Sequence, residues 1–339
     1  MHDTDRTRRT LLRAGLAAAL AAGATACAAP VTTHALAATG ADAPAGRGTG
    51  SPAAGPVVTR PIPRTGEPLP VVGLGTNRFG VETAELKAPL RDVLRRMVEL
   101  GGRVVDTAPA YGRSEEVLGE LIAETGLRER LFLATKITAA DGDLAAAKAM
   151  LAASRARLRT ERFDLLQVHS LRGVDVLLPL LRDERAAGRI RYLGVTTSAD
   201  EQYQPLLDVM AREQLDFVQV DYSLGNRGAA ERILPLARER GIGVLVNLPL
   251  GGRRASLLPK LAGRPLPDFA AEFDATTWPQ VLLKYVLGHP AVTVVIPGST
   301  RIAHLEDNQR AARGRLPTAE HRRRLEAWWD SLPGASSAG

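Results

Sequence analysis

Four residues between positions 106 and 169 have the types and the spacing for proton chemistry on a carbonyl group. Asp106 ends the run Arg103-Val104-Val105-Asp106, and Tyr111 follows it in Thr107-Ala108-Pro109-Ala110-Tyr111-Gly112. Lys136 ends Leu131-Phe132-Leu133-Ala134-Thr135-Lys136, and His169 ends Asp164-Leu165-Leu166-Gln167-Val168-His169. A phenol with a pKa of about 10 is a poor acid near neutral pH. A neighbouring ammonium stabilises the phenolate and makes proton release easier. A carboxylate beside the lysine keeps it charged and aimed, and a histidine can hydrogen-bond the substrate oxygen and orient it. Taken singly, each residue has a structural explanation. Asp106 can cap a turn with Thr107, Tyr111 can be a half-buried loop aromatic, Lys136 can snorkel to solvent, and His169 can be a core histidine bonded to backbone. The set acquires chemical meaning only if the fold brings all four to one rim.

The surrounding elements predict such a rim. Short Val/Ile/Leu-rich runs without clean alternation suit parallel strands buried on both faces. They are Val71–Thr76, Arg103–Thr107, Leu131–Ile137, Phe163–His169, Arg191–Thr196, Phe217–Tyr222, Gly243–Asn247 and Val292–Ile296. Helical patterns lie between and after them: Lys87–Leu100, Ser114–Thr125, Asp143–Arg159, Val174–Ala187, Asp200–Arg212, Ala229–Arg240, Trp278–Leu287, Ile302–Ala312 and a last helix Thr318–Ser331. Ser114 and Asp200 are expected as N-caps, and Gly101, Gly126, Gly188, Gly241 and Gly288 as left-handed helix stops. Eight strand–helix pairs predict an α/β fold of the eight-stranded (β/α)8 TIM-barrel type, which carries its chemistry at the C-terminal ends of the strands. A doubly wound open sheet is the rival. Its dinucleotide fingerprint fails here, because Gly73-Leu74-Gly75-Thr76-Asn77-Arg78 puts Arg78 where the third glycine belongs, and no Walker-type phosphate loop occurs.

The segment Asp106–Gly112, followed by Ser114-Glu115-Glu116-Val117-Leu118-Gly119, resembles the aldo-keto reductase signature. Thr135-Lys136, the strand ending in His169, Gly188–Thr196, Val295-Ile296-Pro297-Gly298-Ser299 and Glu306-Asp307-Asn308 fit the same family. The resemblance runs from about Arg60 to Arg324. It implies a barrel that binds NADP(H), with NAD(H) as the alternative, in extended form. It implies Tyr111 as general acid, Lys136 and Asp106 as the groups that tune it, and His169 as the group that orients the carbonyl. Gln219 matches the family's contact to the cofactor carboxamide. The cofactor-binding positions implied are Gly75, Thr76, Asp106, Thr196, Thr197, Gln219, Asn247, Leu248, Pro249, Leu250, Gly251, Ser299, Arg301, Asp307 and Asn308. Several positions depart from the family pattern. Thr196-Thr197 stand where Ser-Asn is common, and Asn247 where a tyrosine often stacks on the nicotinamide. Gly298 replaces a lysine and His304 an arginine, which leaves Arg301, with Arg253 or Arg254, to meet a 2′-phosphate. Arg113, Leu171, Arg172 and Gly251–Asp274 are candidates for setting substrate preference.

The N-terminus reads as an address. Residues 1–37 carry Thr7-Arg8-Arg9-Thr10-Leu11-Leu12-Arg13, then an Ala-rich apolar run from Ala14 to Ala26 that is too short for a membrane span. This resembles a twin-arginine export signal, and implies the twin-arginine machinery as a partner and a periplasmic or extracellular destination. Ala35-Leu36-Ala37 offers cleavage before Ala38. Cys27, after Ala24-Thr25-Ala26, offers lipid anchoring as the other route, the one way in which a membrane would be involved. Residues 38–59 are rich in Ala, Gly and Pro and predict a linker. The barrel is expected over 60–332.

Composition narrows the remaining classes. The chain has 339 residues, of which 45% are hydrophobic, enough for a large core. One cysteine excludes an intramolecular disulfide framework and a Cys-based zinc site, and no other metal site is expected. The formal net charge is +7, but part of the excess lies in Arg6, Arg8, Arg9, Arg13 and Arg47. Aromatics are 4%, too few for a single-strand stacking platform, so the basic balance reads as a solvated surface and no nucleic-acid partner is expected. The leading functional reading is a nicotinamide-dependent reductase of a small aldehyde or ketone. A second is an exported cofactor-binding barrel with little turnover, resembling channel β-subunits, because NADPH is not regenerated outside the cytoplasm. A barrel isomerase or aldolase is disfavoured by the spacing of the four residues.

Overall fold

The computed structural model describes residues 55–139, 142–252 and 255–333. The export signal, Cys27, residues 38–54 of the expected linker, and Arg253 and Arg254 lie outside the described residues. The described chain opens with an antiparallel hairpin, β1 (Thr59–Pro61) and β2 (Pro68–Pro70). Eight parallel strands follow: β3 (Leu74–Gly75), β4 (Val104–Asp106), β5 (Phe132–Ile137), β6 (Phe163–Val168), β7 (Ile190–Thr196), β8 (Phe217–Asp221), β9 (Gly243–Asn247) and, after a small hairpin of β10 (Gly251–Gly252) and β11 (Ala255–Ser256), β12 (Val294–Val295). Each falls within one or two residues of an expected run. In the sheet, β3 to β9 follow chain order and β12 lies beside β9. The sheet closes on itself, because Gly73 N–H donates to Val295 O at 2.8 Å and Val295 N–H to Val71 O at 2.9 Å. A Cβ on Gly75 would lie 2.9 Å from Ile296 O. The glycines that resemble a dinucleotide fingerprint therefore serve the close strand approach that shuts the barrel.

Among the described residues ten α-helices accompany the sheet: α1 (Ala84–Glu99), α2 (Ser114–Thr125), α3 (Leu144–Leu158), α4 (Val174–Ala186), α5 (Tyr203–Arg212), α6 (Ile233–Glu239), α7 (Leu258–Leu261), α8 (Trp278–Leu287), α9 (Ile302–Arg310) and α10 (Ala319–Asp330). The expected caps are corrected in part. Ser114 is the first residue of α2, and its hydroxyl is buried without a partner. Asp200 starts a one-turn 3-10 helix and accepts from Asn226 Nδ2 instead. Thr83, Asp143, Thr277 and Thr318 do the capping, each accepting a backbone N–H of the first turn. Gly101, Gly126, Gly188 and Gly241 take positive φ as expected, whereas Gly288 ends α8 at φ −63°, in the right-handed region. The linker expectation also shortens. Val58 N–H donates to Ala312 O at 2.8 Å and Val57 bridges to Arg313, so the folded part begins inside 38–59.

Alternate residues on the strands fill the barrel. Val104, Phe132, Leu165, Tyr192, Phe217, Leu245 and Val294 form one apolar layer with Ile62 and Leu69 of the β1–β2 hairpin. The rings of Phe132, Tyr192 and Phe217 pack with centroids 5.7–6.0 Å apart. The hairpin is pinned beneath them, since Tyr192 Oη donates to Glu67 Oε2 at 2.7 Å and Arg191 pairs with the same carboxylate. The N-terminal end is thus plugged, and chemistry is left to the opposite mouth.

The signature over α2 turns out to be partly scaffold. Glu115 is fully buried and accepts from Thr135 Oγ1 at 2.7 Å, Ser154 Oγ at 3.0 Å and Arg157 Nε at 2.8 Å. It ties α2 and α3 to the outer face of β5, whose inner face carries Lys136. One turn further on, a Cβ at Gly119 would sit 2.0 Å from Arg157 O. Gly119→Ala is therefore expected to force α2 and α3 apart and cost about 2 kcal/mol or more. Chemical denaturation of the two proteins checks this; an equal midpoint would mean the helices yield without cost.

Candidate active site

Two residues above the apolar layer, the same inward faces turn polar. Asp106 follows Val104 on β4, Lys136 follows Ala134 on β5, Gln167 follows Leu165 on β6, Gln219 follows Phe217 on β8, and Asn247 follows Leu245 on β9. Lys136 and Gln167 are direct neighbours in register, as are Thr196 and Gln219. The strand period therefore delivers one ring of polar groups to the C-terminal mouth.

Lys136 is at the centre of that ring and is 2% exposed. Its Nζ donates to Asp106 Oδ2 at 2.6 Å, to Thr107 O at 2.8 Å and to Tyr111 Oη at 3.4 Å. Burial works to lower the Lys136 pKa, but the Asp106 carboxylate and the Tyr111 oxygen outweigh it and hold the pKa above its ordinary value. The ammonium is thus kept charged beside the phenol. Its contribution to stability is complete below the ordinary lysine pKa and fades as alkaline pH passes the raised one. Gln167 Nε2 approaches the other Asp106 oxygen at 3.5 Å.

Tyr111 reaches the mouth from the β4–α2 loop, where its N–H donates to Ala108 O and its own carbonyl accepts from Ser114 N–H. His169 lies at the end of β6 with its ring 6.2 Å from that of Tyr111 and perpendicular to it. The backbone just beyond it is strained, with Ser170 at φ 52° and Leu171 at φ 57°. Ser170 is pinned from two sides, because its N–H donates to Thr196 Oγ1 at 3.1 Å and its carbonyl accepts from Gln202 Nε2 at 3.1 Å. All four residues singled out for proton chemistry therefore meet at one mouth.

A cavity of about 650 Å³ opens beside Tyr111 and Asp106, a size suited to a small molecule or cofactor. Of the positions named for the cofactor, Gly75, Thr76, Asn247, Leu248, Pro249, Leu250, Gly251, Ser299 and Arg301 line it, and so do Gly298 and His304. Leu248 sits at φ 51°, the strained corner where β9 gives way to the cavity wall. Ser256 and Leu258, within the Gly251–Asp274 stretch, and Ile296 and Pro297 of the family motif also line it, as do Asn77, Arg78 and Thr300, which were not singled out. Asn77 and Arg78 directly follow Gly75-Thr76, and Gln167 precedes His169 by two on one strand, so strand parity was the available signal.

Other expected cofactor positions are not among the residues that line the cavity. Asp307 accepts from Thr277 Oγ1 at 2.9 Å and Gln280 Nε2 at 2.7 Å and so braces the start of α8. Asn308 is buried on α9, and neither residue lines the cavity. The Thr197 hydroxyl donates to Gln202 Oε1 at 2.6 Å. Gln219, 1% exposed, has both side-chain amide atoms buried and without a partner. A buried unsatisfied carboxamide is costly. Among the described residues no cluster suited to a metal ion is present.

The aldo/keto reductase family model matches residues 71–328. Among curated proteins, the methylglyoxal reductase YeaE of Escherichia coli is 32% identical over 258 residues, covering 74% of this chain and 88% of the relative. Among solved structures, an aldo/keto reductase from Klebsiella pneumoniae in complex with NADP and acetate is 26% identical with a TM-score of 0.64, covering 80% of this chain and 95% of that one. An aldo-keto reductase from the same organism in complex with NADPH aligns with a TM-score of 0.65 at 26% identity.

Proposed function

The chain belongs to the aldo/keto reductase family and is an NADP(H)-dependent oxidoreductase, and from that premise we propose that it reduces a small aldehyde or ketone to the alcohol with Tyr111 as proton donor. The observation that carries this reading is the contact of Lys136 Nζ with both Tyr111 Oη and Asp106 Oδ2 at the mouth of the barrel. The residues present fit the cofactor. The orphaned Gln219 amide, the cavity floor at Gly75 and Thr76, and the wall from Asn247 to Gly251 would hold its nicotinamide half, and Ser299 and Arg301 its adenosine half. When bound, the cofactor supplies a hydride to the carbonyl carbon. The Tyr111 hydroxyl gives its proton to the carbonyl oxygen, and the Lys136 ammonium stabilises the phenolate left behind until solvent reprotonates it. Asp106 keeps the ammonium charged and aimed. His169 hydrogen-bonds the substrate oxygen and places it within reach of Oη. One C–H and one O–H bond form while the carbonyl π bond and the Tyr111 O–H bond break, and the hydride would bring the second electron pair.

The experiment is to follow NADPH oxidation by the purified chain with a panel of small aldehydes and ketones. Methylglyoxal heads the panel, because the E. coli relative is named for it. Turnover with at least one carbonyl supports the reading. Bound cofactor with no oxidation across the panel would favour the low-turnover binding barrel.

The N-terminal residues support export through the twin-arginine route, with cleavage before Ala38 or lipidation at Cys27. Changing Arg8 and Arg9 together to Lys is expected to leave the protein in the cytoplasm. Fractionation that still finds it exported would reject the signal.

A further inference from the structure

The polar ring at the barrel mouth contains an amide whose role is set by its hydrogen bonds. Asn247 closes β9 and lines the cavity. Its Nδ2 donates to Thr197 O at 3.1 Å. A backbone carbonyl only accepts, so this bond fixes which way the amide is turned and leaves Oδ1 as a pure acceptor. That oxygen is buried and has no partner among the described residues. Thr197, just past the end of β7 and two strands away from β9, does not line the cavity. Its hydroxyl donates to Gln202 Oε1 at 2.6 Å and accepts from Ala199 N–H at 3.1 Å. Gln219 also has unsatisfied amide atoms, but of the two amides only Asn247 is among the residues that line the cavity. The acceptor presented to a ligand at this corner is therefore Asn247 Oδ1. An unfilled buried acceptor selects for a ligand that brings a donor.

We propose that Asn247 fixes the nicotinamide ring by accepting, at Oδ1, a hydrogen bond from the –NH2 of the ring's carboxamide. This rests on the NADP(H) reading above and deepens it. The strand end then does more than support the wall. Thr197 O holds the Asn247 amide, and the Asn247 amide holds the ring in the orientation that turns one face towards Tyr111.

The test compares binding, by calorimetry and without any carbonyl substrate, of NADP+ and its 3-acetylpyridine analogue. The analogue keeps the ring carbonyl but replaces –NH2 by methyl. The wild-type chain is expected to bind NADP+ about tenfold more tightly than the analogue. Asn247→Leu should bring the two affinities to within about twofold, and Asn247→Ser, a smaller change to the wall, should narrow the gap in the same direction. A merely structural role would weaken both ligands equally and leave their ratio unchanged, and that result would overturn the proposal. Equal affinities in the wild-type chain would overturn it without any variant. Failure of the wild-type chain to bind NADP+ at all would instead strike at the cofactor reading on which it rests.

Discussion

Tyr111→Phe is expected to lower the rate of carbonyl reduction about a thousandfold while leaving NADPH affinity within about twofold of the wild type. The reason lies in what the change removes. Phenylalanine keeps the ring that stands 6.2 Å from His169 and over which Lys136 Nζ lies at 5.0 Å from the centroid. It deletes one oxygen, the atom 3.4 Å from that ammonium. The ground-state complex loses little, whereas the transition state loses its proton. Single-turnover oxidation of bound NADPH checks the rate, and titration of the cofactor checks the affinity. A variant that reduces carbonyls at the wild-type rate would remove Tyr111 from the chemistry.

The second large effect is expected at Lys136. Lys136→Met removes the positive charge beside the phenol and should cost about 10²- to 10³-fold in rate. It also strands a carboxylate, because Asp106 is 2% exposed and loses its ion-pair partner. Breaking one side of a buried pair costs about 3–5 kcal/mol, so the variant should be less stable as well as slow. The two losses can be separated. Lys136→Met combined with Asp106→Asn removes the uncompensated charge, and should recover much of the stability and none of the rate. Denaturation midpoints and NADPH oxidation on the three proteins make the comparison. Recovery of rate along with stability would mean that Lys136 acts only as a structural prop.

The fold was legible where the chain repeats one physical device. Apolar runs such as Phe132–Ile137 and Phe163–Val168 lie within expected strands because both faces of a barrel strand are buried. Helix ends marked by a glycine that needs positive φ, such as Gly126 after α2, were equally readable. The hairpin β1–β2 was not, because its three-residue strands, Thr-Arg-Pro and Pro-Leu-Pro, carry no period and contain proline. Caps were misread where a tertiary contact outbid a local one, as when Asp200 turned to Asn226. The four residues singled out for proton chemistry were legible because Asp106, Lys136 and His169 lie at or next to strand ends and Tyr111 lies in the loop that follows one. Asp307 looked like a cofactor contact in its motif, and only the packing of α8 against α9 reveals that Thr277 and Gln280 occupy its oxygens. Gln167, which faces Asp106, went unnoticed beside the more reactive side chains of its neighbours.

The central claim is that the proton reaching the carbonyl oxygen comes from the Tyr111 hydroxyl held against Lys136. Its most direct test is the pH dependence of kcat in both directions, in the wild-type chain and in Tyr111→Phe. Reduction needs the protonated phenol, so its kcat should hold at low pH and fall on the alkaline side. Oxidation of the product alcohol needs the phenolate, so its kcat should rise over the same interval. The account predicts that both limbs vanish from the residual activity of Tyr111→Phe. An alkaline limb that persists there unchanged would show that another group donates the proton and would contradict the account.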